Sequence, residues 1–280
     1  MKIAIASGKG GTGKTTISTT LAYYFAQQFP TALLDCDVEE PDANIFLNIP
    51  VSRTFDVDVL IPQVDMDLCT GCGRCEKMCQ YNAIVLIKGK PLVLPELCHS
   101  CGGCYLVCPE KAIKEVKRSV GTVEVGVNGN LHYAGGILNI GEHMAIPLID
   151  EVKKEHYNAT FRIVDAPPGS SCPVVHSMQG NDLIIIVVEP TPFGFHDAVL
   201  AYDVAKTLNI PCAVVINNLV EEYKPLFSFL EKENIPVLAV IPHDVDVARS
   251  CAQGNCIEYM LTKYQDKFEA IMRYIKEKVQ

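Results

Sequence analysis

Residues 8–15 read Gly8-Lys9-Gly10-Gly11-Thr12-Gly13-Lys14-Thr15, a match to G-x-x-x-x-G-K-[ST]. What lies on either side decides how they are read. The apolar stretch 3–6 precedes them as a strand, and residues 16–28 follow with helical periodicity. Strand, Gly-rich turn and helix in that order make a cradle for phosphate. The glycines let backbone N–H groups face phosphate oxygens, and the positive end of the helix dipole adds to the attraction. Lys14 then reaches the outer phosphates of a nucleotide, and Thr15 offers its hydroxyl to Mg2+. Thr16 opens the helix beneath the cradle.

Outward from this loop, apolar strands recur and end in chemically useful residues. Residues 32–34 run into Asp35-Cys36-Asp37, with Glu39, Glu40 and Asp42 beyond; residues 161–164 run into Asp165-Ala-Pro-Pro-Gly169. Carboxylates leaving the C-terminal ends of parallel strands beside a bound phosphate are positioned to hold Mg2+ or to orient a water. Further strands are expected at 183–189, 211–216 (ending at Asn217-Asn218) and 236–241 (leading into Pro242-His243-Asp244). Strands alternating with helical patterns predict an α/β fold, a mostly parallel P-loop NTPase sheet with helices on both faces. Residues 120–133, with Asn128-Gly129-Asn130, read as a hairpin, and 142–156 as a helix.

The alternation is interrupted by two cysteine runs, Cys69-Cys72-Cys75-Cys79 and Cys98-Cys101-Cys104-Cys108. Leu68, Gly73 and Ala83-Ile84 recur at the same offset as Leu97, Gly102 and Ala112-Ile113, so the segment is an internal duplication. Each run has the C-x2-C-x2-C-x3-C spacing of bacterial two-cluster ferredoxins, in which the fourth cysteine ligates the other cluster. That rule assigns Cys69, Cys72, Cys75 and Cys108 to one [4Fe-4S] centre, and Cys98, Cys101, Cys104 and Cys79 to a second. Structural zinc or disulfides are the alternatives. Pro109 follows the last cysteine as the motif expects, whereas Gln80 stands where the first run would have its proline. The expected organisation is an ATPase domain, 1–60 and 119–280, with a small α+β ferredoxin-like domain inserted at 61–118.

Lys9 is more than a plain phosphate loop requires. The stretch Lys9-Gly-Gly-Thr-Gly-Lys-Thr-Thr16 resembles the deviant phosphate loop of the MinD, ParA and nitrogenase iron protein family. That resemblance implies that ATP closes a homodimer in which Lys9 reaches the partner's nucleotide, as an arginine finger does elsewhere. It implies that Asp37, supported by Asp35, positions the attacking water in switch I. In the same scheme Asp165 binds Mg2+ through water, Gly169 senses the terminal phosphate in switch II, and Asn217, Pro242 and Asp244 face adenine. With the cysteine insertion, the chain resembles the ferredoxin-inserted subgroup of MinD-like ATPases. That subgroup implies a redox or metallocluster-carrier protein partner related to nitrogenase cofactor carriers.

Composition sets outer limits. A net charge of −9 without clustered Lys and Arg argues against nucleic-acid binding. No apolar run approaches the roughly 18 residues of a membrane span, and Met1 leads straight into the first strand. A cytoplasmic protein is expected, its thirteen cysteines serving as thiolates rather than as a disulfide framework. Of those outside the runs, Cys36 and Cys212 read as small buried residues. Cys172 follows Asp165 where the nitrogenase iron protein carries a bridging-cluster ligand, with His176 a turn later. Cys251 and Cys256 lack the C-x-x-C spacing of iron–sulfur carriers. Phe268, Ile271, Met272, Ile275 and Val279 form a helical stripe that suits either docking or a membrane surface. The functional expectation is an Mg-ATP-hydrolysing iron–sulfur protein, gating electron transfer or metallocluster assembly on a partner. The rival is a positioning dimer with structural or sensory clusters.

Overall fold

A computed structural model describes residues 1–279. The chain opens with β1 (Lys2–Ala6), α1 (Lys14–Ala26), β2 (Thr31–Asp35), α2 (Ala43–Leu47) and the long β3 (Val51–Val64). There follow α3 (Arg74–Met78), β4 (Ile84–Ile87), β5 (Lys90–Val93), α4 (Gly103–Leu106), a second long strand β6 (Ile113–Asn128) and β7 (Leu131–Leu138). The remainder comprises α5 (Ala145–Lys154), β8 (Phe161–Asp165), α6 (Cys172–Met178), β9 (Leu183–Val188), α7 (Pro192–Thr207) and β10 (Cys212–Leu219). It closes with α8 (Lys224–Lys232), β11 (Val237–Pro242), α9 (Val245–Ala252) and α10 (Cys256–Val279). The main sheet runs β11-β10-β9-β1-β8-β2-β7-β6-β3. Two compact units divide the chain: Met1–Phe55 with Val123–Ile137 and everything from Ile149 onward, and Asp56–Thr122 with Leu138–Leu148.

In the first unit β1 lies parallel between β8 and β9, β2 parallel between β8 and β7, and β10 parallel between β9 and β11. Every residue of β2 and β9 is buried. That is why β9 reads as the unbroken apolar run Leu-Ile-Ile-Ile-Val-Val: a parallel strand covered on both faces has no polar side to alternate with. Ile17, Leu21 and Phe25 of α1 are fully buried, as are Phe268, Ile271 and Ile275 of α10, and the two helices pack together. The stripe on α10 is therefore consumed by the core; the side chain of Val279 lies outside the described residues. Among the described residues no helix is long and apolar enough to cross a membrane. Helix α1 begins at Lys14, two residues earlier than periodicity suggested, because Gly13 (φ 84°) supplies the left-handed turn that starts it. The predicted hairpin is longer at both ends, as β6 and β7.

The second unit shows the duplication in its backbone. Helices α3 and α4 each start after a left-handed glycine, Gly73 (φ 76°) and Gly102 (φ 69°). Strands β4 and β5 pair antiparallel across Lys88 (φ 51°) and Gly89 (φ 75°), the two positive φ angles that a two-residue hairpin turn requires. The stretch Leu138–Leu148 joins this unit through the Asn139 amide, which donates to the Val120 carbonyl at 2.9 Å, and through an Arg118–Glu142 ion pair.

Candidate functional site

Parallel register gathers the first site. Asp165 of β8 stands opposite Asp35 of β2 on one side and Ile5 of β1 on the other, so both carboxylates and the loop after β1 arrive at one edge of the sheet. Gly11 and Gly13 are left-handed (φ 78° and 84°), and a Cβ at Gly13 would run into the Asn217 amide. Exposed Gly10 has open space around its Cα. A Cβ on Gly8 would strike the backbone of Asp197 on α7. No side chain caps α1, so its first N–H groups remain available to an anion.

Lys14 is buried, its Nζ 2.8 Å from Asp165 Oδ1 and 3.6 Å from Asp37 Oδ2. Burial alone would lower its pKa; the charges of Asp165 and Asp37 outweigh that and raise it. The other Asp165 oxygen, Oδ2, is buried without a hydrogen-bond partner. An orphaned carboxylate oxygen on the residue that pairs with Lys14 fits an acceptor for metal-bound water. Asp37 is pushed up to about 6, chiefly by burial, with Lys14 opposing. Asp35 is fully buried and bonds inward: Oδ1 accepts from the Asp37 amide and Oδ2 from the Ala43 amide, both at 3.1 Å. It pins the loop that carries Asp37, and burial followed by the Asp165 charge holds its pKa well above the ordinary value. Asp42 is also raised, by burial and then by the Asp165 charge, and its Oδ1 is buried without a hydrogen-bond partner.

Gly169 (φ 94°) donates its amide to the Ser7 carbonyl at 3.0 Å, which ties the segment after β8 to the end of β1. Gly11, Gly13, Thr16, Asn217, Pro242 and Asp244 line one cavity beside the loop. The Asn217 Nδ2 donates to the Thr12 carbonyl at 2.8 Å, so this side chain braces the loop from the cavity wall. Asp244 lines this cavity and is at the same time tied to α10. Its Oδ2 accepts from Lys263 (2.7 Å), Tyr264 (2.8 Å) and Tyr259 (3.1 Å), and its Oδ1 from the Asp246 amide (3.0 Å). The Lys263 hydrogen bond, with those of Tyr264 and Tyr259, holds the carboxyl far below the usual range. Both oxygens are committed to fastening α10 to the start of α9.

Two residues at this site escaped the sequence reading. Lys9 Nζ lies 2.7 Å from Glu189 Oε2, and Asn218 Nδ2 donates to Glu189 Oε1 at 2.9 Å. The available signal was an acid directly after an all-apolar strand.

The second site is made of cysteines. Cys69, Cys72, Cys75 and Cys108 line one cavity with Gly71 and Gly73; Cys79, Cys98, Cys101 and Cys104 line another with Gly102. The Ala83 amide donates to Cys79 Sγ and the Ala112 amide to Cys108 Sγ, both at 3.3 Å, so the fourth cysteine of each run is held alike. Burial pushes the Cys104 thiol up to about 11 and raises Cys75. Among the described residues no group of three or more His, Cys, Asp or Glu side chains is placed to hold a metal ion. The quartets ring cavities instead. Amide-to-sulfur hydrogen bonds and glycine-lined walls suit an iron–sulfur cubane.

The remaining cysteines divide. Cys36 is fully buried and its thiol strongly raised by that burial; burial likewise raises Cys212 to about 11. Exposed Cys172 is the first residue of α6, and His176 is bonded to Asp150 at 2.6 Å. Cys251 and Cys256, expected as thiols, are joined as a disulfide because the turn between α9 and α10 brings them together.

A family model for the CobQ/CobB/MinD/ParA nucleotide-binding domain matches residues 3–257. An uncharacterised protein of Methanocaldococcus jannaschii is 32% identical over 284 residues, covering 99% of this chain and 97% of that one. An iron–sulfur cluster carrier protein of Rickettsia typhi is 23% identical over 273 residues, covering 95% of this chain and 69% of the other. Among solved structures, the septum site-determining protein MinD of Pyrococcus horikoshii, complexed with Mg-ADP, superposes with a TM-score of 0.59 at 17% identity, over 96% of this chain and 93% of that one.

Proposed function

The chain belongs to the CobQ/CobB/MinD/ParA nucleotide-binding family, and from that premise we propose that this P-loop ATPase carries an inserted two-cluster ferredoxin module at residues 61–118 and couples ATP hydrolysis to electron transfer or metallocluster assembly on a partner protein. The observation that carries this reading is the sorting of eight cysteines into two cavity walls. Each wall combines three cysteines of one run with the fourth of the other, the crossed arrangement that two-cluster ferredoxins use. Zinc sites built run by run would have grouped them otherwise. The clusters would supply low-potential one-electron storage. The likeness to an iron–sulfur cluster carrier protein supports the assembly branch.

In the nucleotide site, the N–H groups of residues 8–16 and Lys14 bind the phosphates. Thr15 and Asp165 would hold Mg2+, which neutralises phosphate charge when bound. Asp37 orients the attacking water, and Asp35 fixes Asp37 by accepting its amide. Lys9 completes the site of a second copy in an ATP-dependent homodimer. Hydrolysis then changes the contacts made by residues 36–43 and 166–169, the two segments that follow Asp35 and Asp165 along the chain.

Anaerobic purification followed by iron and sulfide analysis tests the module; about eight of each per chain are expected. Redox titration with and without Mg-ATP tests the coupling, with a shift in midpoint potential or reduction rate expected. Fewer than four iron atoms after anaerobic reconstitution would remove the module. Full clusters indifferent to nucleotide in potential, reduction rate and partner reduction would assign them a structural or sensory role in a positioning dimer.

A further inference from the structure

We propose that Glu189 is a positioning residue for Lys9: it holds the lysine ammonium within its own chain, and the ATP-dependent dimer forms as Lys9 leaves it. This rests on the role given to Lys9 above.

The geometry is specific to that purpose. Each Glu189 oxygen takes one donor, Lys9 Nζ at 2.7 Å and Asn218 Nδ2 at 2.9 Å. Both ends of the ion pair stand on fixed backbone. Gly8 lies so close to Asp197 of α7 that a Cβ would strike the Asp197 backbone, and one on Gly194 would strike the Glu189 carbonyl. Thr191 caps α7 by accepting the Gly194 amide at 3.0 Å. The strand-to-helix turn that presents Glu189 is therefore rigid, and what moves is the four-carbon stem of Lys9.

Asn218 extends the arrangement to the nucleotide cavity. It has a left-handed backbone (φ 57°) and follows Asn217, which donates to the Thr12 carbonyl. The end of β10 thus touches the phosphate loop directly at Thr12 and, through Glu189, at Lys9. Asn218 lines that cavity and also donates to the carboxylate that holds Lys9. Although burial pushes Glu189 upward, the hydrogen bonds from Lys9 and Asn218 outweigh it and hold the carboxyl below its ordinary value.

The strength suits a holder that must let go. The Lys9 side chain is 36% exposed and that of Glu189 18%, so solvent screens the pair. A pair of this kind is worth roughly fivefold in an equilibrium constant. A symmetric dimer releases two, hence on the order of twentyfold in its dissociation constant.

Glu189→Gln removes the charge while keeping an acceptor for Asn218. In sedimentation of the anaerobic full chain with Mg2+ and a non-hydrolysable ATP analogue, this variant should dimerise about twentyfold more tightly than wild type. In a Lys9→Ala background the same substitution should have no effect. Reductive 13C-methylation preserves the lysine charge, and the Lys9 methyl signal should shift both on Glu189→Gln and on analogue-induced dimerisation of wild type. An unchanged or weakened dimer in Glu189→Gln, or a Lys9 signal indifferent to that substitution, would overturn the proposal. A Lys9→Ala protein that dimerises and turns over as wild type would instead bring down the cross-dimer role of Lys9, while the methyl signal still reports whether the pair exists.

Discussion

Burial alone would lower the pKa of Lys14, but Asp165 and Asp37, 2.8 and 3.6 Å away, raise it instead. The same crowding acts in reverse on Asp37, whose carboxyl is lifted from the ordinary 3.8 to about 6. A water-orienting carboxylate works ionised, so a raised pKa moves the acidic loss of activity toward neutrality. The expected kcat/KM for ATP falls tenfold per pH unit below about 6, where an ordinary aspartate would hold until near 4. A steady-state pH profile measures this. A profile flat to pH 5 would remove Asp37 from the step. Motif spacing pointed to Lys14, whereas the roles expected of Asp37 and Asp165 came from the family resemblance, since acids at strand ends do not by themselves name a role. Glu189 offered only the weaker signal of an acid after an apolar strand, and its partners, Lys9 and Asn218, depend on which elements lie beside it.

At the scale of elements, two duplicated turns build the cysteine unit. Helices α3 and α4 are short, and neither offers a core of its own; their cysteines face cavities assembled from both halves. Crossed ligation makes a prediction that run-by-run ligation contradicts. Cys79→Ala with Cys98→Ala removes two ligands of one quartet and should leave about half the iron. Cys79→Ala with Cys69→Ala strikes both quartets and should leave little of either cluster. Iron content with EPR of the reduced protein distinguishes the two, and half-occupancy in the second pair would restore ligation by run. The repeat was plain in the sequence. That Leu138–Leu148 belongs with this unit was not, because the ties are the Asn139–Val120 hydrogen bond and the Arg118–Glu142 pair, both between segments separated along the chain.

For the molecule as a whole, the proposed dimer turns on a residue that one chain uses upon another. If Lys9 acts as a finger, Lys9→Ala should bind ATP with near-normal affinity and lose turnover by on the order of a thousandfold. Equilibrium nucleotide binding alongside an ATPase assay checks both halves of the statement, and wild-type turnover would exclude Lys9 from the reaction. The stripe on α10 shows the limit of pattern reading at this scale. Phe268, Ile271 and Ile275 at helical spacing suit a membrane surface or a core equally, since both are apolar. Their burial against α1 decides for the core. By itself the sequence determined the phosphate loop, the strand-end carboxylates and the duplicated cysteine runs, because local spacing and residue type suffice to specify them. Only the tertiary structure decided that Asp244 is spent on Lys263 and two tyrosines, that Asp35 bonds inward, and that Glu189 holds Lys9. Each of these depends on which strand lies beside which, a nonlocal contact that no window of sequence contains.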